Sequence, residues 1–372
     1  MTAQPPGYLQ NEILWAVIDR PYNGNPLLRH NAKTHAERTM EHDINTKTQD
    51  DGINAIMDSV YKRHLANRNG ALADYIPELA QLEPESFGIA LATVHGQLYS
   101  VGDADRAFTI QSVSKAFVYC LALELAGHQK VAERVGVEPS GDAFNSIVLD
   151  PANNRPFNPM INAGAITITG LVRDIAGPNA FDEILGRLSD AAGRQLGIDE
   201  AVYRSEAETG HRNRAIGHLL RNFGALTGSV DEALDIYFRQ CSILVTAADL
   251  ARMGATLAHV GENPVTRRHV FDVNAVRSTL AVMFTCGMYD YSGNWAVDVG
   301  VPAKSGVGGG IVGVVNRQLG IATYAPRLDA KGNSVRGLAS FRSLGDELGL
   351  HAFECSNIGS AYVSAFIDST NG

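Results

Sequence analysis

Basic patches, metal-ligand spacings and membrane-length apolar runs are all missing from this chain. Its 372 residues carry 31 Lys and Arg against 40 Asp and Glu, a formal net charge of −9. The basic residues are dispersed, so no stretch offers the electrostatic footprint of a nucleic-acid binder. No uninterrupted apolar stretch is long enough to span a bilayer, and the patch Ile13-Leu14-Trp15-Ala16-Val17-Ile18 is short and follows Glu12. Met1-Thr2-Ala3-Gln4-Pro5-Pro6 lacks the charged start and apolar core of a secretory signal, so a cytoplasmic location is expected. The four cysteines, Cys120, Cys241, Cys286 and Cys355, lie far apart in hydrophobic contexts. They read as buried thiols in a reducing compartment, not as a disulfide framework. Eleven histidines are scattered without H-E-x-x-H or comparable spacing, so neither a catalytic metal nor a cofactor is expected. No internal repeat is visible.

What is present is a large apolar fraction, 45% of residues, enough for a core divided between two lobes. Residues 1–50 are rich in Asn, His, Thr and Asp and broken by Pro5, Pro6, Pro21 and Pro26, and read as an irregular N-terminal extension. Ile53, Ile56, Met57 and Val60 predict a helix to about residue 65. Residues 87–94 and 97–101 predict a hairpin turning at His95-Gly96, and 311–315 with 319–324 a second one turning at Asn316-Arg317. Helix dominates between them, and a closing helix is predicted over 340–348. Strands near both ends with helices between predict an α+β fold, an antiparallel sheet flanked by helices with an inserted helical subdomain. The catalytic unit is expected over 51–356, with a sheet lobe at 51–110 and 265–356, a helical lobe at 111–264, and a tail at 357–372.

The chemistry-bearing stretch is Thr109-Ile110-Gln111-Ser112-Val113-Ser114-Lys115, opening an apolar run that Gly127 closes. Ser112 and Lys115 share a helix face, so a lysine whose pKa is lowered by burial can take the serine proton. Ser59-Val60-Tyr61-Lys62 has the same spacing and reads as ordinary helix surface. Company separates the two. Lys304-Ser305-Gly306 is the one K-[ST]-G in the chain, and Gly308-Gly309-Gly310 leads from it into the apolar run 311–315, placing it at the start of a buried strand. Small residues there let a backbone approach a ligand and present N–H groups to an oxyanion. An S-x-x-K helix start with a later K-[ST]-G marks the serine β-lactamase and penicillin-binding architecture. The glycines are no phosphate loop, because Lys304-Ser305 precedes them and a strand follows.

Other residues are ambiguous from spacing alone. Asn158 and Asn162 suit capping or turning near a helix start. Glu206-Ala207-Glu208-Thr209-Gly210-His211-Arg212-Asn213 reads equally as a solvated loop before a helix. Tyr75, Tyr237 and Tyr289 read as partly buried aromatics. Cys286, three residues before Tyr289, is an alternative nucleophile, but burial in the core is the better reading.

Seven segments in order resemble the serine-dependent glutaminases, bacterial and mitochondrial kidney/liver type. They are Asp74-Tyr75-Ile76-Pro77-Glu78-Leu79, Gln111 to Lys115, Asn158 to Ile166, Glu206 to Asn213, Tyr237 to Ser242, Gly287 to Gly293, and Pro302 to Val307. About four-fifths of the chain is covered. The resemblance implies hydrolysis of L-glutamine to L-glutamate and ammonia through an acyl-enzyme, on a β-lactamase-like fold, in a homo-oligomer (dimer or tetramer) without nucleic-acid or membrane partners. It implies Ser112 as nucleophile, Lys115 as proton acceptor, Tyr75 beside them, and Tyr289 as the proton carrier to ammonia. The backbone N–H groups of Ser112 and Val307 would form the oxyanion hole. Asn162, Glu206, Asn213 and Tyr237 would hold the α-amino and α-carboxylate groups, together with Ser112, Tyr289 and Val307 lining the substrate. One departure from the β-lactamase pattern is Ser292-Gly293-Asn294, the middle element, which falls just ahead of Lys304 instead of well before it. No ankyrin-like tail of the kind the animal enzymes carry is expected. The competing classes are a penicillin-recognising peptidase, esterase or β-lactamase, and a glutamine- or glutamate-sensing module that has kept the fold.

Overall fold

The computed structural model describes residues 52–74 and 76–353. The expectations for residues 1–50, for Tyr75, for Cys355 and for 357–372 lie outside the described residues.

Helix α1 covers 52–64, and its Met57 and Val60 are buried as the periodicity predicts. Strands β1 (Gly88–Thr93) and β2 (Leu98–Gly102) form the first hairpin. β1 reads Gly-Ile-Ala-Leu-Ala-Thr with almost no exposed position, the pattern of a strand covered on both faces. The chain then runs through β3 (Phe108–Thr109) and α2 (Ser114–Ala126), α3 (His128–Ala132), α4 (Asn162–Ala176) and α5 (Ala180–Ala192). Next come β4 (Gly197–Ile198), α6 (Glu200–Thr209), α7 (His211–Asn222) and α8 (Val230–Cys241). β5 (Ile243–Val245), α9 (Ala247–Ala258), α10 (Val273–Cys286) and α11 (Ser292–Asp298) follow. The last segment holds β6 (Ala303–Ser305), β7 (Gly310–Val315), β8 (Leu319–Tyr324) and α12 (Val335–Leu348).

The main sheet has the order β2-β1-β8-β7-β6, antiparallel throughout. Its centre joins the two ends of the described chain, with Ile89 opposite Thr323 and Leu91 opposite Ile321. Alternation along the strands sends Val312, Val314, Ala322 and Ala90 into a core shared with α2, α5, α9 and α10. Ile311, Ile321, Ile89 and Leu91 point the other way, to α1, Trp295 of α11 and Phe341 and Leu344 of α12. α9 lies within 111–264 but packs on β1, β7 and β8. A second small sheet, β3-β5-β4, ties the approach to α2 against the helices. α4, α7 and α8 share a further core.

Both predicted hairpins and the α+β class agree with this architecture. The closing helix begins earlier than 340: Ser334 caps it by accepting from the Gly337 N–H at 3.2 Å. Gly337, a poor helix former in the first turn, obscures that start in the sequence.

Candidate active site

Between β3 and α2 the chain makes a 3-10 turn, Gln111–Val113, so Ser112 precedes the α-helix instead of opening it. Gln111 sits at φ 48°, a left-handed conformation that non-glycine residues adopt at a cost of about 1–3 kcal/mol. Buried hydrogen bonds hold the turn in place. The Ser114 hydroxyl donates to Gln111 O at 2.7 Å, Gln240 Nε2 donates to Ser114 Oγ at 3.0 Å, and Thr169 Oγ1 donates to Gln240 Oε1 at 3.0 Å. α2, α4 and α8 thereby fix the serine turn as one unit. α2 is apolar nearly all round, as a helix enclosed by others must be, and Lys115 is 1% exposed within it.

Burial lowers the Lys115 amine to about 8, with Cys241 and Glu206 acting the other way. Its Nζ donates to Asn162 Oδ1 at 2.6 Å. Asn162 is the first residue of α4, behind the extended Ile161, and does no capping. Its side chain also accepts from the Tyr237 hydroxyl at 3.4 Å and donates to Asn213 Oδ1 at 3.0 Å. Asn158 does turn the chain, since its Oδ1 accepts from the Met160 N–H at 3.0 Å. The reading of 206–213 as a loop is corrected: Glu206 lies within α6 and Asn213 in the first turn of α7, with Gly210 breaking the two helices apart. Glu206 is buried, and desolvation pushes its carboxyl up to about 7 against the opposing Gln111 side chain and Lys115. Ser112, Asn162, Glu206, Asn213 and Tyr237 line one cavity of about 300 Å³.

The K-[ST]-G segment reaches the serine turn from the sheet edge. It lies at the end of β6, not at the start of β7, and Gly306 begins the turn between them. A Cβ on Gly306 would stand 3.0 Å from Ile110 O and 3.3 Å from Val113 N, so glycine lets the two backbones meet. Val307, next in sequence, is buried with Ile76, Leu79 and Leu328. A Cβ on Gly287 would lie 1.7 Å from Ala303 O, which brings the end of α10 equally close to β6. Tyr289 follows at φ 59°, a second left-handed non-glycine residue at the site. Its hydroxyl donates to Ser305 O at 2.8 Å. Burial raises the phenol's pKa and the neighbouring Ser112 side chain opposes that rise. Lys304, fully buried, donates to Gly287 O at 3.0 Å and Ser305 O at 2.5 Å and stands 4.0 Å over the Tyr289 ring. Desolvation and the nearby Lys115 hold its amine well below the usual lysine range.

Ser292-Gly293-Asn294 does not supply the middle element that its spacing suggested. Ser292 folds back, donating to Tyr289 O at 2.9 Å, Asn294 is exposed, and the amide beside Lys115 belongs to Asn162. Three contributors escaped sequence reasoning. Gln111 and Cys241 line the cavity, and the Phe144 ring packs on Tyr289 at a tilt, 4.7 Å between ring centres. Gln111 could have been found from its place beside Ser112; Phe144 has no local signal. Cys286 is no thiolate, because burial pushes its thiol up to about 11. Among the described residues no three His, Cys, Asp or Glu side chains converge where a metal ion could sit.

The family model of the glutaminases matches residues 70–353. This chain belongs to the glutaminase family. Curated relatives include Glutaminase 2 of Bradyrhizobium diazoefficiens, 57% identical over 283 residues, a match covering 76% of this chain and 45% of that protein. The glutaminase of Trichormus variabilis is 48% identical over 303 residues, covering 82% of this chain and 91% of that protein. The chain thus spans under half of the first relative and nearly all of the second. Among solved structures, the probable glutaminase ybaS has a TM-score of 0.78 at 42% identity, covering 81% of this chain and 98% of that one. Mglu in its glutamate form also gives 0.78 at 42% identity, over 82% and 71%. The glutaminase neighbours carry the β-lactamase-like fold, as the motif pair predicts. Among the described residues no helix is long and apolar enough to cross a membrane.

Proposed function

We propose that this chain hydrolyses L-glutamine to L-glutamate and ammonia through an acyl-enzyme on Ser112. The observation that carries the reading is the single cavity shared by Ser112 and the four polar side chains Asn162, Glu206, Asn213 and Tyr237. Glutamine is a zwitterion at its far end. Ionised Glu206 holds the α-ammonium, while Asn162, Asn213 and the Tyr237 hydroxyl supply polar contacts to the amino-acid head. The side-chain amide then faces Ser112.

Ser112 Oγ attacks the amide carbon and its proton passes to neutral Lys115. The oxyanion that forms takes hydrogen bonds from the backbone N–H groups of Ser112 and Val307. The C–N bond breaks as Tyr289 passes a proton to the leaving nitrogen, which departs as ammonia. Tyr289 regains a proton from Lys115. Water attacks the resulting ester by the same route, releasing glutamate and restoring the serine. The family resemblance alone puts Tyr75 beside these groups. Residues 51–356 form the catalytic unit of this reading, and a cytoplasmic homo-oligomer, dimer or tetramer, is its expected setting.

The test is ammonia release with rapid-quench intact-mass analysis. Wild type is expected to show one γ-glutamyl adduct on Ser112, and Ser112→Ala neither adduct nor turnover. Ser59→Ala is expected to match wild type. An active Ser112→Ala enzyme removes the assignment.

A further inference from the structure

A neutral lysine has one lone pair, and the proposed reaction needs that pair for the Ser112 proton. The hydrogen bonds around Asn162 decide whether it is free. Asn162 Oδ1 accepts from Lys115 Nζ at 2.6 Å and from the Tyr237 hydroxyl at 3.4 Å, while Nδ2 donates to Asn213 Oδ1 at 3.0 Å. A carboxamide fits the same space in two orientations that exchange oxygen for nitrogen. In the observed one, Lys115 acts only as donor toward Asn162 in either protonation state, and its lone pair stays available. In the reversed one, Nδ2 would donate into that lone pair or confront an ammonium donor to donor. Both would disable the base.

We infer that Asn213 is a positioning residue for Lys115, acting through Asn162: by accepting from Nδ2 it holds the Asn162 oxygen toward the lysine and leaves the lysine lone pair for Ser112. This rests on the serine–lysine reading above and adds a role for Asn213 that is separate from binding the amino-acid head. Tyr237, a donor to the same oxygen, selects the same orientation from α8. Asn213 is suited to the task because Gly210 ends α6 and restarts the chain as α7, so the first turn of α7 stands against the start of α4. The other titratable groups facing Lys115 are Glu206 of α6, Cys241 of α8 and Lys304 of β6, and none of them contacts the Asn162 nitrogen.

The experiment compares Asn213→Asp, which keeps an acceptor, with Asn213→Leu, which removes it at similar size. The kcat at saturating glutamine is measured across pH 6 to 10, with the Ser112 acyl adduct followed in parallel. Asn213→Asp keeps the acceptor, so it is expected to retain the higher kcat of the two variants and to move the acid limb up, not down, because the added anion favours the ammonium. Asn213→Leu is expected to lower the kcat plateau at least about tenfold and to move its acid limb down by about one pH unit, since the reversed amide favours the neutral amine. Asn213→Ala gives the same contrast should the leucine variant fold poorly. An acid limb that stays in place in both deletion variants overturns the inference, as does a change confined to KM. Absence of any adduct in wild type would instead remove the serine–lysine reading itself.

Discussion

The chain holds two S-x-x-K pairs with identical spacing, and the fold treats them in opposite ways. Ser59 and Lys62 lie on the outer face of α1, where the Lys62 side chain is 71% exposed and pairs with Asp58 at 2.6 Å. Ser112 and Lys115 straddle a strained turn and a buried helix, and the Lys115 ammonium meets an amide in place of a carboxylate. Burial lowers the Lys115 amine to about 8, a fall that Cys241 and Glu206 only partly offset. The spacing is the same in both pairs; the surroundings differ.

The largest expected difference between the two pairs is in turnover. Lys115→Arg keeps the charge but cannot give up its proton, so kcat is expected to fall by about 10²–10⁴. Lys62→Arg is expected to leave kcat unchanged. Steady-state ammonia release at pH 8 on both variants makes the comparison, and an active Lys115→Arg enzyme would reduce that lysine to an electrostatic partner.

The acid near each lysine provides the next contrast. Glu206→Gln removes the anion proposed to hold the substrate ammonium, so KM is expected to rise by about 10–150-fold, the worth of a charge-assisted contact. In wild type the ionised form appears as pH rises through about 7, and kcat/KM should climb with it. That limb should vanish in Glu206→Gln, while the limb near 8 from Lys115 persists in kcat. Asp58→Asn should move neither. A Gln variant that keeps the lower limb assigns it elsewhere.

The smallest effect is on stability, and its sign is opposite to that on activity. The native fold lowers the Lys115 pKa from 10.5 to about 8, so below pH 8 its buried ammonium opposes folding, by at most about 3 kcal/mol. Lys115→Met is therefore expected to raise Tm by a few degrees at pH 7, with the gain shrinking as pH climbs toward 10.5. The lost hydrogen bond to Asn162 offsets about 1 kcal/mol of it. Lys62→Met should stay within about 0.5 kcal/mol of wild type. Thermal unfolding at pH 7 and pH 10 separates these outcomes, and a lower Tm for Lys115→Met would show that hydrogen bonding outweighs desolvation there.

Much of the fold was legible because its strands are short apolar runs bounded by turn residues. The runs before His95-Gly96 and after Asn316-Arg317 fall within a residue or two of β1 and β8. The ordered motifs carried the family. Local sequence could not give the amide beside Lys115: Asn162 stands 47 residues away and reaches it only because α4 packs on α2. Likewise, the closeness of Ser292-Gly293-Asn294 to Lys304 along the chain says nothing about which side chain turns inward. Glu206 looked solvated because α6 and α7 are polar on their outer faces, and Gly210 resembles a loop where it only separates two helices.

Pairing β1 with β8 has a consequence for how the molecule comes into being. On the ribosome, the serine turn emerges almost two hundred residues before β6, and β1 waits for β8 longer still. Until then β1 lacks the partner along its other edge, and a hairpin alone is marginal in water. Such long-range closure makes for slow folding. It also means that a nascent chain holding every residue of the serine turn cannot yet bring Gly306 against Ile110 and Val113, so closure of the site and completion of the sheet arrive together.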